Sequence, residues 1–333
     1  MAGVDVFTRI NLAKETVHGT PVARTRRFYG IAAGNFDIGD SFAFHEQENR
    51  GARVRISSHA PTLLRNAPTL KLVDSAGIGY DDLVHIFSMG LQGGRSGSGG
   101  SADKTWTFTQ PTTGSGAYES LSADVGDDVQ NWVLQYLMPT KWKLSTTFGE
   151  LTHLEADCFA QQAIKGAASS PAEIANNILI PSDLWTLKTA GTFAGLSGAS
   201  VQTNLLRTWS FEYDTGILPR FYMDGTTGLG QHVETDIAGM VDMEVESTAY
   251  TISEFVDKYR AGTLDYARFK VQGPVLGGSF YSLQFDMPVY WDEPQVIAST
   301  DNGVNLYTVR GRQAYDSTNG LVVTLVCSLS AIP

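Results

Sequence analysis

Apolar and polar residues alternate along most of this 333-residue chain. In TWTFT (105–109), Trp106 and Phe108 lie on one side of an extended backbone and the threonines lie on the other. Because successive side chains of a β-strand point to opposite faces, this period of two predicts half-buried antiparallel strands. The same alternation marks four later segments, which are RTWSFEY (207–213), VDMEVES (241–247), YSLQFDMPV (281–289) and LVVTLVCSLS (321–330). The pattern predicts a mainly β fold.

Two segments, 80–91 and 251–262, instead show the three-to-four-residue period of an amphipathic helix. In the second segment, Thr251 and Glu254 have the spacing of a capping box, and Gly262 is suited to end a helix. The predicted apolar faces are formed by Leu83, Ile86, Phe87 and Leu91 in the first segment and by Ile252, Phe255, Val256 and Tyr259 in the second.

The order of these elements predicts a tandem duplication. Each predicted helix follows one predicted strand and precedes another, and the two helices lie about half of the chain length apart. This fits two copies of one β-domain that carries one helix, each of ordinary domain length. Small and polar residues fill 165–177, where we place the boundary. We therefore predict a first domain over 1–168, with an N-terminal arm, and a second over 169–333.

The formal net charge of −11 disfavours sequence-independent binding of DNA, which depends on clustered lysines and arginines. A surface of like sign repels phosphate, so the charge still suits a protein past which DNA must move. Cys158 and Cys327 lie within apolar alternation, which predicts buried free thiols and synthesis in the cytosol. The chain opens without an apolar signal-peptide core and contains no run of about 20 apolar residues, so we expect a soluble protein with no membrane span.

No motif for catalysis or metal binding has its required partners. FHEQEN (44–49) contains His45 and Glu46, but Asn49 stands where a zincin needs its second histidine. HLEADC (153–158) lacks the Pro-Cys-x-x-Cys partner of zinc deaminases, and its alternation predicts a solvated polar face. Gly-x-Ser-x-Gly and Gly-Lys-Ser/Thr sequences are missing too. We expect no enzyme activity, no bound metal and no cofactor.

Two segments are candidates for contacts with a partner. They are the Gly- and Ser-rich loop 91–104 and a long turn over 298–320, which we expect to form a hairpin. Glycine and serine leave a loop flexible unless a neighbour holds it. A solvated loop without a partner explains both segments equally well.

The stretch AKETVHGTPV (13–22) resembles the start of tail tube proteins from bacteriophages with long, non-contractile tails. The second half is similar as well, because 186–216 resembles the opening of a tube domain and the later strands and helix follow in the family's order. The residues that match the opening motif are Lys14, Glu15, Gly19, Thr20, Pro21 and Val22.

The resemblance implies two tandem tail-tube-type domains, each a β-sandwich or half-barrel with one flanking α-helix. In that family, inner sheets of neighbouring subunits join edge to edge into a barrel that lines a lumen. A duplicated chain would be a fused dimer, so three copies would form a pseudo-sixfold ring, and rings would stack into a tube that conducts viral DNA. The implied partners are further copies of the chain, the tape measure protein, tail terminator and tail tip proteins, and passing DNA without sequence-specific binding. The implied location is the virion tail, after synthesis in the host bacterial cytoplasm.

On this interpretation the N-terminal arm and loop 91–104 contact another subunit or ring. The Gly-Thr-Pro turn would direct the arm, since proline fixes its own φ and restricts the residue before it. The alternative is an edge strand with solvated arginines. The contact candidates are Lys14, Glu15, Gly19, Pro21, Arg24, Arg26, Arg27 and Arg95. Candidates for lining the lumen are Asp242, Glu244 and Glu246, although their face could equally point outward.

Three other functions stay open at this point. One is another virion component of related fold, namely a tail terminator, a baseplate hub or a decoration protein. Another is a secreted β-sandwich that binds carbohydrate through its aromatic residues, and the third is an enzyme. Filament formation distinguishes the tube subunit from all three.

Overall fold

The protein is mainly β in a computed structural model of the chain. The structure describes residues 9–28, 31–43, 62–74, 76–94, 96–100, 102–112, 117–127, 129–167, 169, 177–203, 205–222, 231–301 and 303–332. Because polar and apolar residues alternate along them, most segments pair as antiparallel strands with one buried face, as predicted.

The strands, in chain order, are β1 (Arg9–Lys14), β2 (Arg26–Arg27), β3 (Ile31–Asp37), β4 (Asp40–Ala43), β5 (Thr62–Arg65), β6 (Thr69–Asp74), β7 (Gln92–Gly93), β8 (Lys104–Thr109), β9 (Leu121–Gly126), β10 (Asn131–Thr147), β11 (His153–Phe159), β12 (Gln162–Gly166), β13 (Trp185–Ala190), β14 (Leu206–Asp214), β15 (Ile217–Arg220), β16 (Gln231–Glu234), β17 (Ala238–Glu246), β18 (Asp265–Leu276), β19 (Ser279–Trp291), β20 (Gln295–Asp301), β21 (Val304–Gln313) and β22 (Val322–Cys327).

Helical structure is confined to two segments and one short turn in the described residues. The first helix is α1 (Tyr80–Gly90). The second segment, which we call the 249–261 helix, consists of α2 (Ala249–Thr251), a π-helical turn (Ile252–Val256) and α3 (Asp257–Ala261). A 3₁₀ turn spans Ala194–Ser197.

Eight strands form one continuous antiparallel sheet, which we call the main sheet. Its order is β3, β6, β11, β10, β14, β17, β21 and β20. The first four strands come from the first half of the chain and the last four from the second half. The sheet therefore crosses from one half to the other at the pairing of β10 with β14.

Other strands form two sets that face the main sheet across the core, and the first of these sets shares β10 with the main sheet. One set runs β2, β1, β9, β10 and β12. The other runs β13, β18, β19, β22, β8 and β7. β8 belongs to the first half in sequence but pairs with β22 of the second half, so it connects the two halves through backbone hydrogen bonds. β19 also pairs with β21 of the main sheet, and two short hairpins are formed by β4 with β5 and by β15 with β16.

The strand pairings of the first half recur in the second half. β1 pairs with β9 as β13 pairs with β18, and β9 pairs with β10 as β18 pairs with β19. β10 pairs with β12 and β11 as β19 pairs with β22 and β21. β3 pairs with β6, and β6 with β11, as β14 pairs with β17, and β17 with β21. The β4–β5 and β15–β16 hairpins also occupy matching places.

Two short sequences recur at matching places in this pattern. LQYLMPTKW (134–142) lies in β10 and LQFDMPVYW (283–291) lies in β19, so both read Leu-Gln-x-x-Met-Pro-x-x-Trp. FDIG (36–39) ends β3 and YDTG (213–216) ends β14. In both of the latter, the aspartate Oδ1 accepts the N–H of the glycine two residues on, at 2.9 Å. The matching turns give the two halves the same exit from an equivalent strand.

One hydrophobic core extends through both halves. It contains Leu72, Trp142 and Phe211 from the main sheet and residues such as Ala123 and Phe269 from the other two sets. The boundary predicted within 165–177 falls mostly outside the described residues, so the division at 168/169 stays a prediction.

The first helix was predicted at the right place but with the wrong surroundings. We expected an amphipathic helix flanking a sheet, whereas every residue of α1 is buried, including Asp81 and Asp82. The helix is enclosed because strands of both halves pack around it. Phe87 shows this, since its ring centroid lies 5.2 Å from that of Trp142 in the first half and 5.9 Å from that of Phe285 in the second.

The second predicted helix is present, with a different cap. Thr248 begins it, because its Oγ1 accepts the Thr251 N–H at 3.1 Å, so the expected capping box of Thr251 and Glu254 is wrong. Gly262 ends it in the left-handed conformation, as predicted. Of its expected apolar face, only Phe255 is fully buried.

Other local predictions agree with the structure. Trp106 and Phe108 are fully buried, and Cys158 and Cys327 are buried free thiols whose pKa burial raises. The turn over 298–320 contains the predicted hairpin, formed by β20 and β21. Within the described residues, no helix is both long and apolar enough to cross a bilayer.

Candidate functional site

The N-terminal arm starts from a buried carboxylate. Glu15 directly follows β1 and is only 3% exposed. Its Oε2 accepts hydrogen bonds from the Gly19 N–H at 2.8 Å and from the Ser120 hydroxyl at 2.6 Å. Its Oε1 accepts from the Tyr136 N–H at 2.8 Å and from the Ser122 hydroxyl at 2.9 Å. These four donors compensate the cost of burying a charge.

The same bonds hold a turn and a bend in β10. Gly19 has a φ of +77°, a left-handed value that glycine adopts without strain. Tyr136 has a φ of +57°, which is uncommon for a residue with a side chain, and lies at the register shift where β10 passes into the main sheet. The Tyr136 hydroxyl also bonds His232 Nδ1 of β16 at 2.6 Å. Glu15 thus fixes both the start of the arm and the corner of the longest strand.

Lys14 and Arg24 have acidic partners in the first half of the same chain. Lys14 Nζ lies 2.8 Å from Glu119, and Arg24 lies 2.6 Å from Asp124, whose side chain is fully buried. Burial alone would raise the pKa of Asp124. Hydrogen bonds from Arg24 and Ser169 outweigh that effect and hold the pKa below its ordinary value. Asp124 therefore stays a carboxylate that anchors the arginine.

Arg26 points into a buried polar cluster on α1. Its guanidinium lies 3.5 Å from the carboxylate of Asp82, which is inaccessible to solvent. Burial raises the pKa of Asp82 to about 7, although the charge of Arg26 opposes the shift. Burial also lowers the pKa of His85 to about 3, and the charge of Arg26 lowers it further. Arg26 thus balances charge in the interior of its own chain.

The structure therefore places most of the predicted contact residues of the arm in contacts within one chain, namely Lys14, Glu15, Gly19, Arg24 and Arg26. The acidic groups that pair with its first two arginines belong to the same chain and not to an adjacent ring. Arg27 also interacts within the protein, Pro21 is exposed, and Arg95 lies outside the described residues. Contacts of the arm with another subunit stay a prediction.

A joint between β10 and β14 connects the two halves of the main sheet. It consists of seven residue pairs, beginning with Lys141 opposite Asp214. Lys141 also forms an ion pair of 2.7 Å with Glu212 across the joint. Beyond the end of β14, the Thr215 hydroxyl donates to the Pro139 carbonyl at 2.8 Å. Backbone pairing, an ion pair and a side-chain bond thus hold the halves edge to edge.

The main sheet ends in two strands that are paired on one side. Within the described residues, β3 pairs with β6 alone and β20 pairs with β21 alone. Such an edge exposes backbone N–H and C=O groups and favours the addition of another strand. The internal joint pairs β10 with β14. β3 is the equivalent of β14 in the first half, and β20 continues from β19, which is the equivalent of β10. The two free edges therefore correspond to the two strands that pair in the joint.

One face of the main sheet points away from the core and is polar. On β17, Asp242, Glu244 and Glu246 lie on this face, whereas Val241 and Met243 are buried on the other. The three acidic residues predicted to line a lumen therefore share one surface. Whether that surface lines a lumen stays a prediction.

Basic residues neutralise much of the charge on this polar face. Arg310 lies 2.7 Å from Asp242, and Arg207 lies 2.5 Å from Glu246. Glu244 has no ion-pair partner in the part of the chain that the structure describes. Similar pairs join neighbouring strands elsewhere on the face, namely Lys71 with Glu155 and Lys141 with Glu212. These ion pairs reduce the negative charge of the face, which is polar and not uniformly acidic.

The loop 91–104 is held by the end of its own chain. The Gly97 N–H donates to the Ser330 carbonyl at 3.1 Å, and Trp106 Nε1 donates to the Leu329 carbonyl at 2.8 Å. A neighbour within the molecule therefore restrains a loop that its glycines would leave flexible. A role as a clamp between rings stays a prediction.

The candidate catalytic motifs form no site in the described residues. No group of three or more metal-ligating side chains occurs in these ranges. In β11, His153 is partly exposed and bonds Asp74 at 2.9 Å, while Leu154 and Ala156 are buried, as the predicted alternation requires. His45 and Glu46 lie outside the described residues.

Comparison with known proteins adds no name to this geometry, because the chain matches no family model and no curated protein. The joint is the feature from which a function can be argued, and sequence reasoning missed its residues. The two repeated sequences are the signal that could have revealed the joint residues. One copy of each repeat adjoins the β10–β14 joint, and the other copy lies at the matching place in the other half.

Proposed function

We propose that the protein is a tail tube subunit of a bacteriophage with a long, non-contractile tail. The observation that carries this proposal is the β10–β14 joint between two halves with the same strand pairings. Two subunits of a ring would meet in this way, with the edge strand of one continuing the sheet of the next. The resemblance of the opening residues to that family supports the same function.

Repeating the joint between chains would close a ring. The edges β3 and β20 lie at opposite ends of the main sheet and correspond to the two partners of the internal joint. A contact of one surface with a different surface closes into a ring or continues as a filament. We propose that three chains, each a tandem duplication and thus a fused dimer, form a pseudo-sixfold ring and that rings stack into a tube.

The internal joint also predicts the register between chains. Lys141 lies opposite Asp214 in the joint. By the two repeated sequences, Tyr290 corresponds to Lys141, and Asp37 corresponds to Asp214. Tyr290 should therefore lie opposite Asp37 of the next chain.

In this arrangement the polar face of the main sheet lines the lumen. The paired charges on the face limit attraction to phosphate, so DNA can pass without being held. The tube would also contact the tape measure protein, the tail terminator and tail tip proteins, and it would reside in the virion tail.

Electron microscopy of the concentrated protein, with image averaging, tests this function. We expect hollow tubes or rings with threefold symmetry. A terminator would give single rings that do not stack, and a carbohydrate-binding module would stay dispersed. Dispersed particles at every concentration would contradict the proposal.

Disulfide crosslinking tests the register. The double variant Asp37→Cys, Tyr290→Cys should form bonds between chains, because directly opposite residues bring their Cα atoms within disulfide range. The double variant Lys141→Cys, Asp214→Cys is the positive control and should form the bond within one chain. Crosslinking in the control alone would contradict the proposed register.

A further inference from the structure

The first helix is buried because the second half covers it. The Tyr80 ring lies 5.5 Å from that of Tyr281 in β19. Asp81 accepts bonds from the backbone N–H of Ser328 at 2.9 Å and from its hydroxyl at 2.6 Å, just beyond β22. Phe87 packs on Phe285 of the same half. The cover for α1 therefore consists of β19 and β22.

The 249–261 helix has the same position in the second half but lacks that cover. Each helix packs an aromatic ring edge-on against the tryptophan of the repeated sequence. Phe87 does so on Trp142 at 5.2 Å, and Phe255 on Trp291 at 4.8 Å. On the same helix, Ile252 is 45% exposed and Tyr259 is 38% exposed. These two exposed apolar side chains, which we call the stripe, are candidates for a further contact, although Tyr259 also borders a cavity lined by Thr308 and Arg310 of its own chain.

Among the described residues, the surface equivalent to the cover of α1 is not covered on the first half. β12 and the start of β10 correspond there to β22 and β19. Among described residues, β12 pairs with β10 alone, whereas β8 covers the other side of β22. Trp132 corresponds to Tyr281, and Ile164 on β12 is 44% exposed. A groove of about 380 Å³ follows this edge, and it is lined by apolar residues that include Ile38, Trp132 and Ile164 and by polar residues that include Asp40, Gln162 and Lys165.

We propose that the exposed stripe of the 249–261 helix packs into the β12 groove of the next copy of this chain. Within one chain, the helix of the first half already packs on the strands of the second half, next to the β10–β14 joint. If β20 of one copy joins β3 of the next, the same step brings the 249–261 helix over the groove of that copy. Ile38, which lines the groove, directly follows β3 and so lies beside the predicted seam. The inference rests on the proposed ring.

The test uses two full-length variants and their mixture. Ile252→Lys places a charge on the helix stripe, and Ile164→Lys places one in the groove, both at exposed positions where folding tolerates it. Ser253→Lys is the matched control, because Ser253 is exposed on the same helix but lies off the stripe. Sedimentation velocity measures association, and circular dichroism with thermal unfolding checks that each variant is folded.

We expect the association of each of the two interface variants to be weaker than that of the wild type by about tenfold or more. The control should associate normally. At concentrations where neither variant associates alone, an equimolar mixture of the two should form mainly heterodimers. The intact helix of the groove variant can bind the intact groove of the helix variant, but the other two surfaces are blocked.

Each result decides a separate point. Normal assembly of Ile252→Lys, or a mixture that stays monomeric while the wild type assembles, would overturn the helix-in-groove contact and leave the tube function standing. A wild type that stays monomeric at all concentrations would count against the ring itself, and against this contact with it.

Discussion

Replacing Glu15 with alanine tests whether one buried carboxylate anchors the N-terminal arm. The substitution removes the acceptor for two backbone donors, the N–H groups of Gly19 and Tyr136, each at 2.8 Å. The Tyr136 N–H is buried, and a buried donor left without a partner costs about 1–3 kcal/mol, whereas Gly19 is only partly buried and water can bond its N–H, so the total is roughly 1–4 kcal/mol. The hydroxyls of Ser120 and Ser122 can rotate toward other acceptors and should add little.

Urea denaturation followed by tryptophan fluorescence measures this loss. A domain's stability is typically about 5–15 kcal/mol, so the midpoint for Glu15→Ala should fall markedly. The matched control is Lys14→Ala at the neighbouring position. The side chain of Lys14 is 28% exposed and pairs with Glu119 at 2.8 Å, so its loss should cost about 0–1 kcal/mol.

Limited trypsin digestion gives a second readout, since release of the arm would expose Arg24 to cleavage. If Glu15→Ala matched Lys14→Ala in both its urea midpoint and its rate of cleavage at Arg24, the carboxylate would not anchor the arm. Glu15→Gln, which keeps one acceptor oxygen, should lie between the alanine variant and the wild type.

The remaining predictions concern pH and backbone conformation. Asp82, with its pKa raised from 3.8 to about 7, contributes stability that is present below pH 3.8 and lost as the pH rises toward 7. His85, with its pKa lowered from 6.5 to about 3, contributes stability that is present above pH 6.5 and lost as the pH falls toward 3. As the pH falls from 7 to 4, Asp82 adds stability and His85 removes it. Asp82→Asn lacks the opposing gain, so its free energy of unfolding should fall more than that of the wild type over this range. Urea midpoints that change in parallel with pH would contradict this. Gly216→Ala should lower the thermal midpoint more than Gly262→Ala. Both glycines have positive φ, but only at position 216 would the new Cβ lie 2.5 Å from a carbonyl oxygen. Equal shifts of the thermal midpoint in the two variants would show that the structure relieves this contact.

The strands and the helix positions could be predicted because their signals are local. The period of two in TWTFT and RTWSFEY fixes which side chains are buried, wherever the strand lies in the sheet. The buried thiols and the glycine that ends the second helix follow from equally short stretches.

The repeat was predicted from element order, although residue identity also carries it. Leu-Gln-x-x-Met-Pro-x-x-Trp occurs at 134–142 and 283–291, and it marks the two strands that pass between layers. Nine residues with five identities are easily overlooked in a chain of this length. The motif becomes informative once strand pairing shows that both copies occupy matching places.

The surroundings of α1 and of the arm could not be predicted from local pattern. In sequence, Asp81 and Asp82 are only acidic residues at the start of a predicted helix, because alternation and helical period report one element and not its neighbours. Both are buried since the second half closes over the helix. Likewise, three nearby arginines read as a surface for a partner, yet two of them pair with Asp124 and Asp82.

The β10–β14 joint also has a kinetic consequence for assembly. Because both strands belong to one polypeptide, this joint forms at the high effective concentration of a tethered pair, independent of how much protein is present. In the proposed ring, only the joints between chains depend on collisions, and three fused chains form three such joints where six single domains would form six. Covalent fusion would therefore lower the protein concentration at which a first ring can nucleate. In the proposed ring, it would also confine breakage to every second seam.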